Sequence, residues 1–282
     1  MGRNDYLQPY WLDAVDPPNG YGAVVVHGFT GVPWDVLPVG EGLNADGFVA
    51  DLPLLEGHAD GASAIRDVSL AEWRGCVAES LERVYRVTGK PVLLVGFSMG
   101  GLLVLDLAVR AKVPLLGVVS LAAPLRLGTL AREASRLAAT KPWAEPFTWP
   151  KFRGSDIRKD VAMPGADGIP LRAVSELNTL IESVRHTLPS LKAPLLVVQA
   201  RHDHTSPPDS PWSIVDLSGS SFRRLVVLKR GFHVITRDVC WMEVVAEVRA
   251  FAKRVTPTEG GSSRGKKPRT KKPATKKPAT KK

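Results

Sequence analysis

Gly96-Phe97-Ser98-Met99-Gly100-Gly101 follows the apolar run Pro91 to Val95 and leads straight into Leu102-Leu103-Val104-Leu105. That order predicts a buried strand, a sharp turn and a helix. A serine at such a turn sits in a strained backbone position with its hydroxyl lifted clear. Glycines two residues to either side leave room for neighbouring backbone to come close. Gly-x-Ser-x-Gly by itself occurs in many ordinary loops, and the flanking strand and helix are what give it weight here. Ser98 is the candidate nucleophile.

A serine hydroxyl is a poor nucleophile at neutral pH. It needs an imidazole to take its proton during attack and return it to the leaving group, a contribution of roughly 10²- to 10⁴-fold. A carboxylate then holds the imidazole in the useful tautomer and stabilises its cationic form. The serine turn resembles the nucleophile elbow of α/β-hydrolases, a resemblance that implies the chain order nucleophile, acid, histidine. Ala193-Pro194-Leu195-Leu196-Val197-Val198 reads as a later strand and runs into Gln199-Ala200-Arg201-His202-Asp203, which makes Asp203 the candidate acid. Asp209 is its competitor, and His202 and His204 flank it as lesser candidates for the base. Arg224 to Leu228 reads as the next strand, and Lys229-Arg230-Gly231-Phe232-His233 follows it with the last histidine of the chain. His233 is the candidate base.

The negative oxygen that forms on attack needs hydrogen-bond donors, and the resemblance to α/β-hydrolases implies two backbone N–H groups, one from the residue after the nucleophile and one from the loop after an early strand. Met99 supplies the first. Ala23-Val24-Val25-Val26 reads as the early strand and enters His27-Gly28-Phe29-Thr30-Gly31, which makes the Phe29 N–H the second. His27 is expected to order this loop rather than to catalyse, and His58 to shape the rim of the cleft. His58 has no second ligand at metal-binding spacing, and the chemistry calls for no metal and no cofactor.

His27-Gly28-Phe29-Thr30-Gly31, the serine turn, Val197-Val198-Gln199-Ala200-Arg201-His202-Asp203 and His233-Val234-Ile235-Thr236 together resemble bacterial carboxylesterases and monoacylglycerol lipases of the α/β-hydrolase superfamily. The resemblance spans about residues 9 to 254 and extends over the most neighbours around Asp203 and His233. It departs at Gly57-His58-Ala59, where relatives often carry a second glycine, and at Phe97 and Met99, where leucine is frequent. What it implies is a serine esterase acting on short- or medium-chain esters or monoacylglycerols through an acyl-enzyme. An acyltransferase or peptidase on the same triad is the alternative. A scaffold without activity that binds polyanions is the alternative of another class.

The 282 residues are 44% hydrophobic and 23% charged, ordinary for one catalytic domain with a sizeable core. The net charge of +10 is unevenly placed. Ten of the 38 Lys and Arg residues and one of the 28 acidic residues lie in 256–282, leaving 28 basic and 27 acidic residues in 1–255. The segment 256–282 is rich in Lys, Pro, Ala and Thr and has no hydrophobic residue larger than alanine, so the expectation is a disordered tail. Its charge density suits non-specific contact with nucleic acid or an anionic membrane. Cys76 and Cys240 read as isolated thiols. No apolar run approaches the roughly 18 residues of a membrane span, and the polar start lacks a signal-peptide core, so the expected location is cytoplasmic.

Strand and helix patterns alternate through 1–255, as in a mostly parallel sheet covered by helices on both faces: an α/β-hydrolase fold. Helices are expected over about 70–85, 171–185 and 239–254, and a strand over 115–121. Residues 124–192 interrupt the rhythm with an amphipathic stretch, 129–139, and the aromatics Trp143, Phe147, Trp149 and Phe152. This segment is expected to form a cap over the site, with Trp143, Phe147 and Trp149 either lining an acyl pocket or packing the cap's own core.

Overall fold

The computed structural model describes residues 6–140, 147–150, 156–157, 164–166 and 168–257. The strands in chain order are β1 (Tyr10–Leu12), β2 (Gly22–Val26), β3 (Val49–Leu52), β4 (Val92–Phe97), β5 (Leu115–Leu121), β6 (Thr148–Pro150), β7 (Gly168–Pro170), β8 (Leu195–Ala200) and β9 (Arg223–Leu228). Seven form one sheet in the order β1-β3-β2-β4-β5-β8-β9, and β6 and β7 form a separate antiparallel hairpin. Within the large sheet only β1 runs antiparallel, against β3. The helices are α1 (Leu37–Asn44), α2 (Ala62–Asp67), α3 (Leu70–Thr88), α4 (Met99–Arg110), α5 (Thr129–Thr140), α6 (Leu171–Thr187), α7 (Ser210–Leu217) and α8 (Trp241–Val255).

Successive side chains of a strand point to opposite faces, and the central strands show it. Val24, Val26, Leu94, Val118 and Val197 join one buried cluster with residues of α3, α4, α6 and α7. Ala23, Val25, Leu93, Val95, Val119 and Val198 join the other with residues of α1 and α8. Both faces are therefore apolar, and the strands read as unbroken hydrophobic runs rather than alternating ones, as parallel sheets do. The α/β-hydrolase fold inferred from the sequence is the fold observed.

Two buried carboxylates tie helices to this frame. Asp51 on β3 accepts from Ser80 Oγ at 2.7 Å and Arg83 Nε at 2.9 Å, both on α3. Asp106 on α4 accepts from Arg74 Nε at 2.9 Å and Ser183 Oγ at 2.8 Å, and also from Arg110, so one carboxylate joins α3, α4 and α6. The helix α3 starts on a capping box, in which Ser69 N donates to Glu72 Oε2 at 2.8 Å and Glu72 N to Ser69 Oγ at 3.3 Å.

The sheet sets the place of the site. From β2 the chain goes to β3 on one side and then to β4 on the other, so the connections diverge between β2 and β4. Ligands of open α/β sheets bind at the carboxyl ends of the strands at such a switch point. The loop after β2 and the turn after β4 lie side by side there. Between β5 and β8 the interrupting segment carries α5, β6, β7 and α6, and of these α6 packs onto one face of the sheet. Leu180, Ile181 and Val184 of α6 belong to the main buried cluster, whereas Ala138 and Leu171 form a small cluster with Trp149.

Candidate active site

Ser98 follows β4 and precedes α4 with φ 54° and ψ −116°. A residue with a side chain held there costs about 1–3 kcal/mol and persists because its surroundings fix it. Ser98 N donates to Leu121 O at 2.7 Å and Leu102 N to Ser98 O at 3.2 Å, so both backbone groups are satisfied. Two glycines make the packing possible. A Cβ on Gly100 would collide with the carbonyls of Val26 and His27, and one on Gly28 would lie 3.1 Å from the Ser98 Cβ. The β2 loop can thus press against the serine turn because Gly100 lacks a side chain, and a side chain at Gly28 would crowd the same contact.

The structure brings Ser98, His233 and Asp203 into one line although they sit on three separate loops. Ser98 Oγ is 2.9 Å from His233 Nε2, and His233 Nδ1 is 2.8 Å from Asp203 Oδ2. A carboxylate has only acceptors, so Nδ1 carries the proton and Nε2 offers its lone pair to the serine hydroxyl. All three are buried, with 8%, 7% and 8% of their surfaces exposed, respectively, which strengthens these interactions by excluding water.

Asp203 is held by more than the histidine. Gln199 Nε2 donates to Oδ2 at 2.5 Å, and Thr205 N and Ser206 N each donate to Oδ1 at 2.8 Å. Sequence reasoning assigned none of these three a role. The backbone donors follow from the turn after β8, where an aspartate caps the N–H groups two and three residues on. Asp209, the competing acid, instead pairs with Arg126 at 2.9 Å on the surface. His202 and His204 are exposed, and the His204 ring packs against Phe232.

On the β2 loop, Leu55 N donates to His27 Nε2 at 3.1 Å, and Nδ1 lies 3.0 Å from Gly28 O, an arrangement that requires a neutral ring. Burial, and then the neighbouring His58, push the His27 pKa well below 6.5. His58 lies under the loop with 1% exposure, against His27, Phe29 and Trp73, and is not at a cleft rim as the sequence reading had it. Met99 begins α4, so its N–H is among those left free of helix bonding. Phe29 follows Gly28, which touches the Ser98 side.

A further link joins the β2 and histidine loops. The Arg237 guanidinium lies 3.5 Å over the centre of the Trp34 ring and also donates to the Trp34 carbonyl. Burial pulls the Arg237 pKa down to about 10. The sequence offered no sign of this pair. Of the aromatics in the interrupting segment, Phe147 is 57% exposed, Trp149 packs on Ala138 and Leu171, and Trp143 and Phe152 lie outside the described residues. Residues 258–282 also lie outside them. Both cysteines are free thiols, and burial raises each to a pKa of about 11. Among the described residues no group of acidic, histidine and cysteine side chains could hold a metal, and no helix is long and apolar enough to cross a membrane.

Known proteins share this architecture. A carboxylesterase of Bacillus subtilis (strain 168) is 27% identical over 216 residues, which covers 76% of this chain and 85% of that protein. A thermostable monoacylglycerol lipase of Bacillus sp. (strain H-257) is 25% identical over 218 residues, covering 77% and 84%. A solved structure for the metagenome-derived lipolytic enzymes LipS and LipT superposes with a TM-score of 0.81 at 26% identity, covering 88% of this chain and 98% of that one. The sequence also matches the alpha/beta hydrolase family over residues 23–247, a span that takes in β2 and its loop, the serine turn and the loops of Asp203 and His233. This chain belongs to the alpha/beta hydrolase family.

Proposed function

We propose that the protein hydrolyses carboxylic esters through an acyl-enzyme on Ser98. The observation that carries this reading is the pair of contacts that lines up Ser98 Oγ, His233 and Asp203, at 2.9 and 2.8 Å. As Ser98 Oγ bonds to the ester carbon, its proton passes to His233 Nε2. The carbonyl oxygen becomes an oxyanion facing the Met99 and Phe29 N–H groups. Asp203 stays ionised and holds the imidazolium through Nδ1. Collapse breaks the bond to the alkoxy group, which leaves with the proton from Nε2. Water then repeats the sequence against the acyl group, releasing the acid and restoring Ser98.

Short- to medium-chain acyl esters and monoacylglycerols are the substrates we favour. The names of the two Bacillus relatives, a carboxylesterase and a monoacylglycerol lipase, support carboxylic esters and monoacylglycerols as the class. Each buried methylene is worth about 0.8 kcal/mol, so specificity should rise by up to about fourfold per carbon until the pocket is filled. The domain division we propose is a catalytic unit of 1–255 carrying the cap at about 124–192, followed by the basic tail.

The test is turnover of a series of chromogenic acyl esters, from acetate to laurate, with mass spectrometry of the protein quenched during turnover. A mass increase equal to the acyl group, located on the peptide containing Ser98, is the expected result. Hydrolysis without any covalent acyl species, or acylation elsewhere, would overturn the reading.

A further inference from the structure

Asp156 is a cap residue bound to both catalytic loops. Its carboxylate Oδ2 accepts the hydroxyl proton of Thr205, and its backbone carbonyl accepts Val234 N–H at 3.0 Å. Thr205 is the residue whose own N–H donates to Asp203 Oδ1 at 2.8 Å, and Val234 directly follows His233. One residue of the interrupting segment therefore grips the chain next to the acid and next to the base. The two catalytic loops follow different strands, and the Asp203–His233 contact depends on their spacing.

We propose that Asp156 is a positioning residue that couples the docking of the cap to the alignment of Asp203 and His233. The proposal rests on the serine esterase reading above. The Thr205 side chain faces Asp156 while its N–H faces Asp203, so losing the outer bond frees the threonine to rotate and loosens the turn that holds Oδ1. A shift of His233 relative to Ser98 would follow. Displacements near 1 Å away from the chemistry can cost up to about 10²-fold in rate. The effect belongs in kcat and in the reactivity of the serine rather than in substrate binding, because neither Asp156 nor Thr205 touches Ser98.

The experiment compares Asp156→Ala, Asp156→Asn, Thr205→Val and the Asp156→Ala/Thr205→Val double variant of the full chain. A fluorophosphonate probe counts active sites and gives the rate of serine labelling, and turnover of a chromogenic butyrate ester is expressed per titrated site. The expected result is a roughly tenfold fall in kcat and in labelling rate for Asp156→Ala and for Thr205→Val, with KM within about twofold. The double variant should fall no further, since the two changes break one bond. Asp156→Asn, which keeps an oxygen acceptor for Thr205, should recover most of the loss. Unchanged kcat and labelling rate per titrated site in either single variant would overturn the proposal, as would a change confined to KM. If Asp156→Ala does not fold, the smaller Thr205→Val change decides the matter on the same criteria. Failure of the unaltered protein to label would remove the esterase reading and this proposal together, whereas normal labelling with unaffected variants would remove this proposal alone.

Discussion

Gln199 Nε2 lies 2.5 Å from Asp203 Oδ2, the same oxygen that accepts the His233 Nδ1 proton at 2.8 Å. A neutral amide near the end of strand β8 therefore shares the carboxylate oxygen that orients the imidazole. The amide spreads the negative charge and also fixes the direction in which Oδ2 points. Hydrogen bonds to charged groups contribute about 1.5–3 kcal/mol.

Replacing Gln199 should reveal both effects. Gln199→Leu is expected to lower kcat on a butyrate ester by about tenfold and to lower stability by about 1–3 kcal/mol, the cost of removing a donor from a buried carboxylate. Gln199→Glu should be worse in activity, because two adjacent carboxylates cannot both remain ionised without strong repulsion. Urea denaturation and ester turnover measured on the same preparations check this. Activity of Gln199→Glu equal to that of the unaltered protein would contradict it.

His27 provides a pH dependence whose sign follows from its environment. Its folded pKa is well below 6.5 because burial, and then His58, oppose the charged form. In the unfolded chain the same ring takes up a proton near pH 6.5, so below that pH the unfolded state binds more protons than the folded one. Stability contributed by the neutral ring is present above pH 6.5 and is lost as pH falls toward the depressed folded value. The slope for one such group is up to about 1.4 kcal/mol per pH unit. His27→Gln keeps an acceptor for Leu55 N–H and should flatten the acid limb of the stability curve. An unaltered slope between about pH 6.5 and 5, measured by denaturant melts, would contradict the assignment.

The basic tail can be tested by deletion. Thr256 closes α8, with its N–H and its hydroxyl both bonded to Ala252 O, so the cut belongs after Pro257. Removing 258–282 deletes ten basic residues and one acidic residue and leaves a body with 28 basic and 27 acidic residues. Turnover of small neutral esters should be unaffected, and most affinity for duplex DNA should disappear. For the intact protein the logarithm of affinity should fall with the logarithm of salt at a slope of about −4 to −5, as when roughly six phosphates are neutralised. Titration of both forms at several salt concentrations gives the slope, and equal binding by both would show that the tail is not the binding element.

Much of the fold was legible because its main strands are apolar runs with abrupt ends. Ala23 to Val26, Val92 to Val95 and Leu195 to Val198 each stop at a glycine or a polar residue, and the residues of the site stand just beyond those stops. What the sequence concealed depends on distant partners. Asp51 breaks the apolar run of β3, and only Ser80 and Arg83 on α3 make its burial tolerable. β1 is three residues long and paired on one side, too short for a periodic signal. The strands β6 and β7 end in prolines, which cannot donate to a ladder and argue against a strand when read locally. His58, expected at the rim of the cleft, is enclosed by Trp73 of α3 and by the β2 loop, neighbours that lie far from it along the chain. The Gln199 and Arg237 contacts are side-chain orientations, and the Asp156 contacts join segments far apart in the chain, so no local pattern encodes them.

The central claim is that Ser98 is the nucleophile activated by His233. The most direct measurement is turnover of a chromogenic butyrate ester by the unaltered protein, Ser98→Ala, His233→Ala and the double variant, each verified as folded by its melting transition. A triad acts as a unit, so the account predicts a loss of at least about 10³-fold for each single change and little further loss in the double variant. Retention of a tenth of the activity by Ser98→Ala, or additive losses in the double variant, would contradict it.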